Sequence, residues 1–343
     1  MKYLISPHAR QYKANLHCHS TVSDGQYTPE QMKKLYKDNG FSVLAITDHE
    51  RPYCHQNLSD PDFLMITGYE GYIRTNPEYR YELYEQEIHM NLYARDPYNT
   101  TLICYDPPGA KYQRRDNALH ELENRAGREG SREYSPAFVN EYVRTAKENG
   151  YIVAYNHPYW SLEDEKDILA YEGFFSMEIC NYGSYVMNGL EYNGALYDKM
   201  LRAGKRIFCH GADDSHNFVP PENPCGDALG GYTMIMPEEF TYDGVFRAME
   251  DGEMYSSMGP RFTEVSVENG RIHIECSEVA HMHVYFGSKR PQFMHAAPGE
   301  SLTSWDFDID PKALYVRVSI RDREGRWADT RGYSREEVGL PSL

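Results

Sequence analysis

Between residues 13 and 257, short apolar runs alternate with amphipathic stretches of helical period, and no other feature constrains the fold as tightly. Strands are expected at residues 14–17, 42–47, 64–69, 88–93, 151–155, 176–179 and 206–209. Helices are expected at 29–39, 136–149, 190–203 and 237–251. Thr28 can cap the first helix, with Pro29 in its first turn and Gly40 at its end. Gly150 and Gly204 end two others in the same way. Strands that alternate with helices build βαβ units and a parallel sheet. This many strands exceeds what a simple doubly wound half needs. It suits a barrel that is closed or nearly closed.

Beyond about residue 258 the pattern changes. Stretches at 262–268, 271–276, 281–286, 304–309 and 314–320 alternate apolar and polar residues. Asn269-Gly270 lies between the first two, a strong hairpin signal. The expected organisation is therefore an α/β barrel unit over residues 1–257 and a small antiparallel β domain over 258–343. A polar stretch at about 96–135 is too long for an ordinary connection. It is read as an insertion, either with a helix near 118–125 or as a lid.

Composition narrows the function classes. No apolar run approaches the roughly 20 residues of a spanning helix. The first residues lack the apolar core and small-residue cleavage site of a secretory signal. A cytoplasmic location and no membrane partner are expected. The seven cysteines are scattered and form no CxxC pair, which argues against a disulfide framework or a cysteine zinc finger. A formal net charge of −17 disfavours long nucleic acid and anionic lipid as partners. It leaves room for a small anionic substrate, because bound cations can dominate a local site.

The residues able to carry chemistry gather at strand ends. His17 and His19 stand at i and i+2 on a strand, so they share a face. Such a pair alone is weak, and a second one, His281 and His283, has no assigned role. The first pair has company. Ser23-Asp24-Gly25 follows it closely. Strand 42–47 runs into Asp48-His49, and strand 64–69 into Glu70. His89 lies on strand 88–93, and Asn156-His157-Pro158 follows strand 151–155. Asp213-Asp214-Ser215-His216 comes after strand 206–209. In a β/α barrel the carboxyl ends of the strands converge on one face. Charged and imidazole groups there are costly to bury unless paired or bound to metal. Histidines with carboxylates suit zinc, manganese or iron. Singly, each residue has a plain reading: His89 as a core histidine, Asp24 as a turn, Asp213 and Asp214 as a cap. Those readings become strained when all fall at successive strand ends.

As an ordered set, HxH (His17, His19), SDG (Ser23–Gly25), TDH (Thr47–His49), GxE (Gly68–Glu70), His89, NHP (Asn156–Pro158) and DxH (Asp214–His216) resemble the PHP (polymerase and histidinol phosphatase) family of metal-dependent phosphoesterases. The resemblance spans about residues 13–257. It implies a distorted (β/α)7 TIM-like barrel and two or three divalent ions of manganese, zinc or iron. By motif, one ion takes His17, His19, Glu70 and Asp214. A second takes Asp24, His49 and His216. A third takes His89 and His157, with Glu70 as a bridge. Asp24 stands where some relatives have histidine, which looks like the branch of small phosphoesterases, some of which cleave nucleotide phosphates.

The implied activity is hydrolysis of a phosphate ester of a small molecule or nucleotide by a metal-bridging hydroxide. A metal-bound water, Asp48 and His216 are candidates for the general acid. Arg51 is a candidate phosphate clamp, as are Arg74, Arg80, Lys111, Arg114 and Arg115 in polar loops. An amidohydrolase-type enzyme would usually want a bridging lysine at a strand end, and none is found. An amidohydrolase-like hydrolase on a non-phosphate substrate and a non-catalytic metal-binding module are the alternatives; a nuclease or polymerase-associated proofreader is disfavoured by the acidic balance and by the lack of polymerase-sized neighbouring sequence.

Overall fold

The computed structural model describes residues 1–75, 84–106 and 124–342. Strand β1 (Lys2–Ile5) is followed by β2 (Tyr12–Asn15), helix α1 (Pro29–Asp38), β3 (Val43–Ile46) and β4 (Leu64–Arg74). Next come β5 (Glu87–Ala94), the short β6 (Leu102–Ile103) and β7 (Arg125–Ala126), α2 (Pro136–Glu148) and β8 (Tyr151–Tyr155). α3 (Glu165–Ile168), β9 (Ser176–Asn181), α4 (Tyr182–Asn188), α5 (Gly194–Arg202) and β10 (Phe208–Ala212) follow. β11 (Tyr232–Ile235), α6 (Tyr242–Asp251) and β12 (Met254–Ser257) come after them. The rest is β: β13 (Phe262–Glu268), β14 (Arg271–Val279), β15 (His281–Tyr285), β16 (Gln292–His295), β17 (Leu302–Asp308), β18 (Arg317–Arg321) and β19 (Trp327–Thr330).

Local chemistry explains where the helices begin. Thr28 accepts from the Gln31 amide while the Gln31 side chain accepts from Thr28 N, a reciprocal cap with Pro29 just inside it. Ser135 caps α2 in the same place relative to Pro136. Two helices start later than their patterns suggest. Residues 190–193 do not join α5, because Tyr192 bridges to Cys180 beside β9. α6 begins only at Tyr242, where Thr241 accepts from Gly244 N. Of the helix expected near 118–125, residues 118–123 lie outside the described residues, and Arg125 belongs to β7.

One large sheet runs β10-β9-β8-β5-β4-β3-β2-β11-β12-β19-β18-β15-β16. β2, β3 and β4 are mutually parallel, as are β8, β9 and β10. β5 is antiparallel to both its neighbours, β4 and β8. This corrects the expectation of an all-parallel barrel. The described strands do not show a closed ring. β11 occupies the edge of β2 at Tyr12–Ala14, so the ladder leaves the ring there. β10 reaches the same edge only beyond Leu16, through Asp214 N→His17 O and His19 N→Ser215 O, both 2.9 Å. The fold is a mixed α/β one with an open ladder, tied at one mouth.

The C-terminal strands are not a detached layer. β19 pairs with β12 and extends the large sheet. β1 pairs with β13 in a four-stranded sheet, β1-β13-β14-β17. A single apolar cluster joins Met32, Tyr36 and Leu44 to Val265, Ile274 and Ile320. None of the described helices is long and apolar enough to cross a membrane.

A buried ion network fastens the two regions. Arg317 of β18 is 2% exposed. Its guanidinium lies 2.7 Å from Asp198 Oδ2 of α5 and 2.7 Å from Asp329 Oδ1 of β19. Removing one partner of such a group strands the remaining charge in the interior. Arg317→Leu is therefore expected to lower stability by about 3–5 kcal/mol, measured by urea unfolding. A change below about 1 kcal/mol would mean that water reaches Asp198 and Asp329.

Candidate metal centre

The mouth tied by residues 17–19 and 214–215 is where the chemistry collects. His17 and His19 flank Cys18 on an extended stretch, and the alternation turns Cys18 Sγ away, 3.3 Å from Ala45 O. His49 follows β3 and bridges in parallel to Glu70 within β4. His89 stands near the start of β5, opposite Tyr72. Because β5 is reversed, its beginning reaches the mouth that the other strands reach with their ends. His157 follows β8. Asp214 and His216 follow β10, and Asp214 has φ +54°. Positive φ is uncommon for a residue with a Cβ. Glu50 and Asn217, close by in sequence, share it.

The loop carrying Asp24 is folded onto Asp48. Asp48 Oδ1 accepts from Ser20 N (2.7 Å), Ser23 N (3.1 Å) and Ser23 Oγ (2.7 Å), and Oδ2 from Ser20 Oγ (2.7 Å). The loop packs so closely that a Cβ on Gly25 would lie 2.3 Å from His19 O, which accounts for the glycine of the SDG run.

All nine expected ligands meet in one cluster. Glu70 is at its centre. Its Oε1 lies 3.3 Å from His17 Nε2, 3.1 Å from His89 Nδ1 and 3.3 Å from His157 Nε2. Its Oε2 lies 3.0 Å from His49 Nδ1 and 3.4 Å from His19 Nε2. Asp214 Oδ1 is 3.1 Å from both His17 Nε2 and His19 Nε2. Asp24 Oδ2 is 3.6 Å from His49 Nε2 and 3.5 Å from His216 Nε2.

Four ligand sets have atoms all within 4.8 Å of one another: His19, Asp24, His49 and His216; His17, His19 and Glu70; His17, His157 and Asp214; and His49, Glu70 and His89. This grouping differs in part from the one implied by motif. His19 also joins the Asp24 set, because its Nδ1 faces Asp24 at 3.6 Å while its Nε2 faces His17. His157 sits with His17 and Asp214, and His89 with His49.

These residues fit divalent cations. Several imidazoles are held on one nitrogen from outside, which leaves the other facing in. His17 Nδ1 is 2.7 Å from Glu178, His157 Nδ1 is 3.2 Å from Ser161 Oγ, and His216 Nδ1 is 3.1 Å from Asp214 O. Metal-binding histidines are commonly oriented in this way.

Other candidates fall elsewhere. Asp48, considered as a general acid, accepts four hydrogen bonds from the Ser20–Ser23 loop and so holds that loop in place. Arg51 is buried, with Nη2 lacking a hydrogen-bond partner among the described residues, and it does not line the cavity over the cluster. Arg74 pairs with Glu87 at 2.5 Å. Arg80, Lys111, Arg114 and Arg115 lie outside the described residues. Asp213 accepts from Tyr36 Oη and the amides of Leu229, Gly230 and Gly231. His281 and His283 lie on β15, across from β16.

The cavity holds about 430 Å³ and is lined by the cluster residues other than His17 and His19, together with Trp160, Gly183, Ser184, Met187, Asn188 and Phe218. Sequence reasoning missed these residues, and it missed Glu178 and Asn181 behind the candidate ligands; Asn156 stood in the NHP motif without an assigned role. A carboxylate at 178 within an otherwise apolar strand was the one available signal.

Residues 15–112 match the PHP domain. That family model takes in His17, His19, Asp24, His49, Glu70 and His89, and the resemblance drawn from the motifs holds over this segment. Among solved structures, the chain is similar to a two-domain protein from Bacteroides vulgatus ATCC 8482 that contains a predicted PHP-like metal-dependent phosphoesterase. Identity there is 14%, with 97% of this chain and 90% of that one covered, at a TM-score of 0.43. An amidohydrolase from Chromobacterium violaceum with bound sulfate is similar at 15% identity, covering 70% of this chain and 96% of that one, with a TM-score of 0.41. No curated protein matches the chain.

Charge compensation in the metal-free cluster is read in its pKa shifts. Burial alone would lower the pKa of His19, but its bonds to Asp214 and Glu70 outweigh burial and raise it to about 10. At His89 burial is likewise overcome, by Glu70 and Glu87, and the pKa rises to about 10. Burial would raise Glu70 and Asp214, yet the imidazoles hold both well below the usual carboxylate range. The imidazolium stabilisation is complete below the ordinary value of 6.5 and is lost as pH rises towards about 10. The metal-free protein should therefore lose thermal stability between about pH 6.5 and 10, while metal uptake strengthens over the same window because fewer protons must leave. Calorimetry of chelator-stripped protein checks both, and metal affinity that falls with rising pH would contradict this account.

Proposed function

We propose that the chain is a metal-dependent phosphoesterase that hydrolyses a phosphate ester of a small molecule or nucleotide. One observation carries the reading: three carboxylates and six imidazoles meet in one cluster, and the described wall of the cavity over it contains no lysine or arginine. An anionic substrate entering there would need its positive charge from cations held by the cluster. Bound divalent ions supply Lewis acidity towards phosphoryl oxygens and acidify water for attack on phosphorus.

The chain's own residues set the geometry. Glu70 spaces the imidazoles of His17, His49, His89 and His157. Asp48 holds the loop that presents Asp24. Trp160 packs its ring 5.5 Å from that of His89 and 5.1 Å from that of His157, closing one side of the floor. Phe218 stacks on His216, with ring planes 8° apart. With Met187, these rings form an apolar rim suited to the organic part of the ester. The frame of this reading is a distorted (β/α)7 barrel, with residues 1–257 as the hydrolytic unit and 258–343 as a β appendage.

The test is phosphate release from nucleotides, sugar phosphates, histidinol phosphate and short oligonucleotides, with manganese, zinc or iron supplied to stripped protein. Turnover of at least one small ester, abolished by chelation, is expected. Loss of a residue that merely supports a ligand typically costs 10–100-fold. Glu70→Gln, which alters the central group itself, should therefore lower kcat/KM by at least about 100-fold. Full metal occupancy with no phosphate released from any ester would overturn the proposal.

A further inference from the structure

We propose that Glu178 is a positioning residue that orients three metal-facing groups from three separate strands. The inference rests on the metal-centre reading above and goes beyond it, since Glu178 belongs to none of the ligand sets and does not line the cavity. Glu178 lies in the middle of β9, fully buried, between the apolar Met177 and Ile179. A carboxylate in such a strand is costly unless its oxygens are satisfied.

Both oxygens are satisfied, and each leads to the cluster. Oε1 accepts from His17 Nδ1 at 2.7 Å. That places the imidazole proton on Nδ1 and turns Nε2 towards Glu70 and Asp214. Oε2 accepts from the backbone amide of His157 at 3.1 Å and from Asn181 Nδ2 at 3.0 Å. Asn181 Nδ2 also donates to Asp214 Oδ2 at 3.1 Å, while Asn181 Oδ1 caps α4 by accepting from Ser184 N. One carboxylate on β9 thus fixes the ring of His17 beyond β2, the backbone at His157 beyond β8 and, through Asn181, the carboxylate of Asp214 beyond β10.

The arrangement requires a carboxylate and not an amide. Three N–H donors point at Glu178 across its two oxygens. A glutamine can accept on one oxygen only, and its NH2 group would then face either His17 Nδ1–H or the His157 and Asn181 donors. Glu178→Gln keeps the shape and removes the pattern.

The experiment uses the full chain stripped of metal. Manganese and zinc are titrated into wild type, Glu178→Gln and Asn181→Ser, with affinity read by calorimetry against a competing chelator. Circular dichroism and thermal unfolding of the metal-free forms accompany it. Serine at 181 preserves the helix cap and deletes only the amide that joins Glu178 to Asp214. Glu178→Gln should bind metal about 10–100-fold more weakly while staying folded. Selective ¹⁵N labelling should show His17 Nδ1 losing the shift of a proton held by a carboxylate. Asn181→Ser should also weaken binding, and it decides the matter if Glu178→Gln does not fold. Equal affinity in wild type and in a folded Glu178→Gln, or in Asn181→Ser where the glutamine variant is unfolded, overturns the role of Glu178 while leaving the metal centre intact. A wild type that takes up neither metal overturns the metal-centre reading, and this inference with it.

Discussion

Glu70 is 1% exposed and has nitrogens of five histidines within 3.4 Å of its two oxygens. An ionised carboxylate so deeply buried would be intolerable in an apolar setting. It is tolerable here because positive charge, from protons or from metal, surrounds it. Much of the rest of the architecture can be understood as the means of delivering those imidazoles. They come from the segment after β2, from the end of β3, from β5 and from the segment after β8, and the sheet brings these points to one mouth.

Two departures from a regular barrel serve that delivery. The reversed β5 lets a histidine near the start of a strand stand beside groups at the ends of others. The tie between residues 17–19 and 214–215 replaces a full strand pairing. It leaves room for β11 on the lower half of β2, and Asp214 turns with positive φ directly at the tie. Strain of this kind costs of order 1–3 kcal/mol and persists where the surroundings over-determine it. Here His17 O, Asn181 Nδ2 and the imidazoles of His17 and His19 provide those surroundings.

Most of the candidate ligands were legible in the sequence because they follow or interrupt an apolar run, where a charged group stands out. Thr28, Ser135 and the glycines at 40 and 150 were legible because capping is decided within a few residues. Strand direction was not. The apolar period of 88–93 is the same whichever way the strand runs, and the connection before it is long enough for either direction. The junction of β12 with β19 is likewise invisible locally, since it depends on pairing between segments over 70 residues apart in sequence. Glu178 and Asn181 belong to no spaced motif. Their importance arises from what β2, β8 and β10 place opposite them, and that is a property of the assembled sheet. Asp48 shows the converse: it sits inside a motif, yet its partners are the amides and hydroxyls of its neighbour loop.

The electrostatics of the whole chain follow from the same centre. A protein of net charge −17 repels anions at long range, within the reach that salt leaves unscreened. The described cavity wall adds no lysine or arginine to offset that field. On the proposed function, the charge that recognises an anion would be concentrated in the cluster, where burial keeps it from being screened. Protons would compete with metal ions for the same imidazole nitrogens, so one set of side chains that stabilises the empty fold at low pH would, on the proposed reading, bind cations more readily as pH rises. The buried Glu178 and Asn181 limit what that competition can rearrange: they hold ring planes and carboxylate oxygens from behind, whichever cation occupies the front.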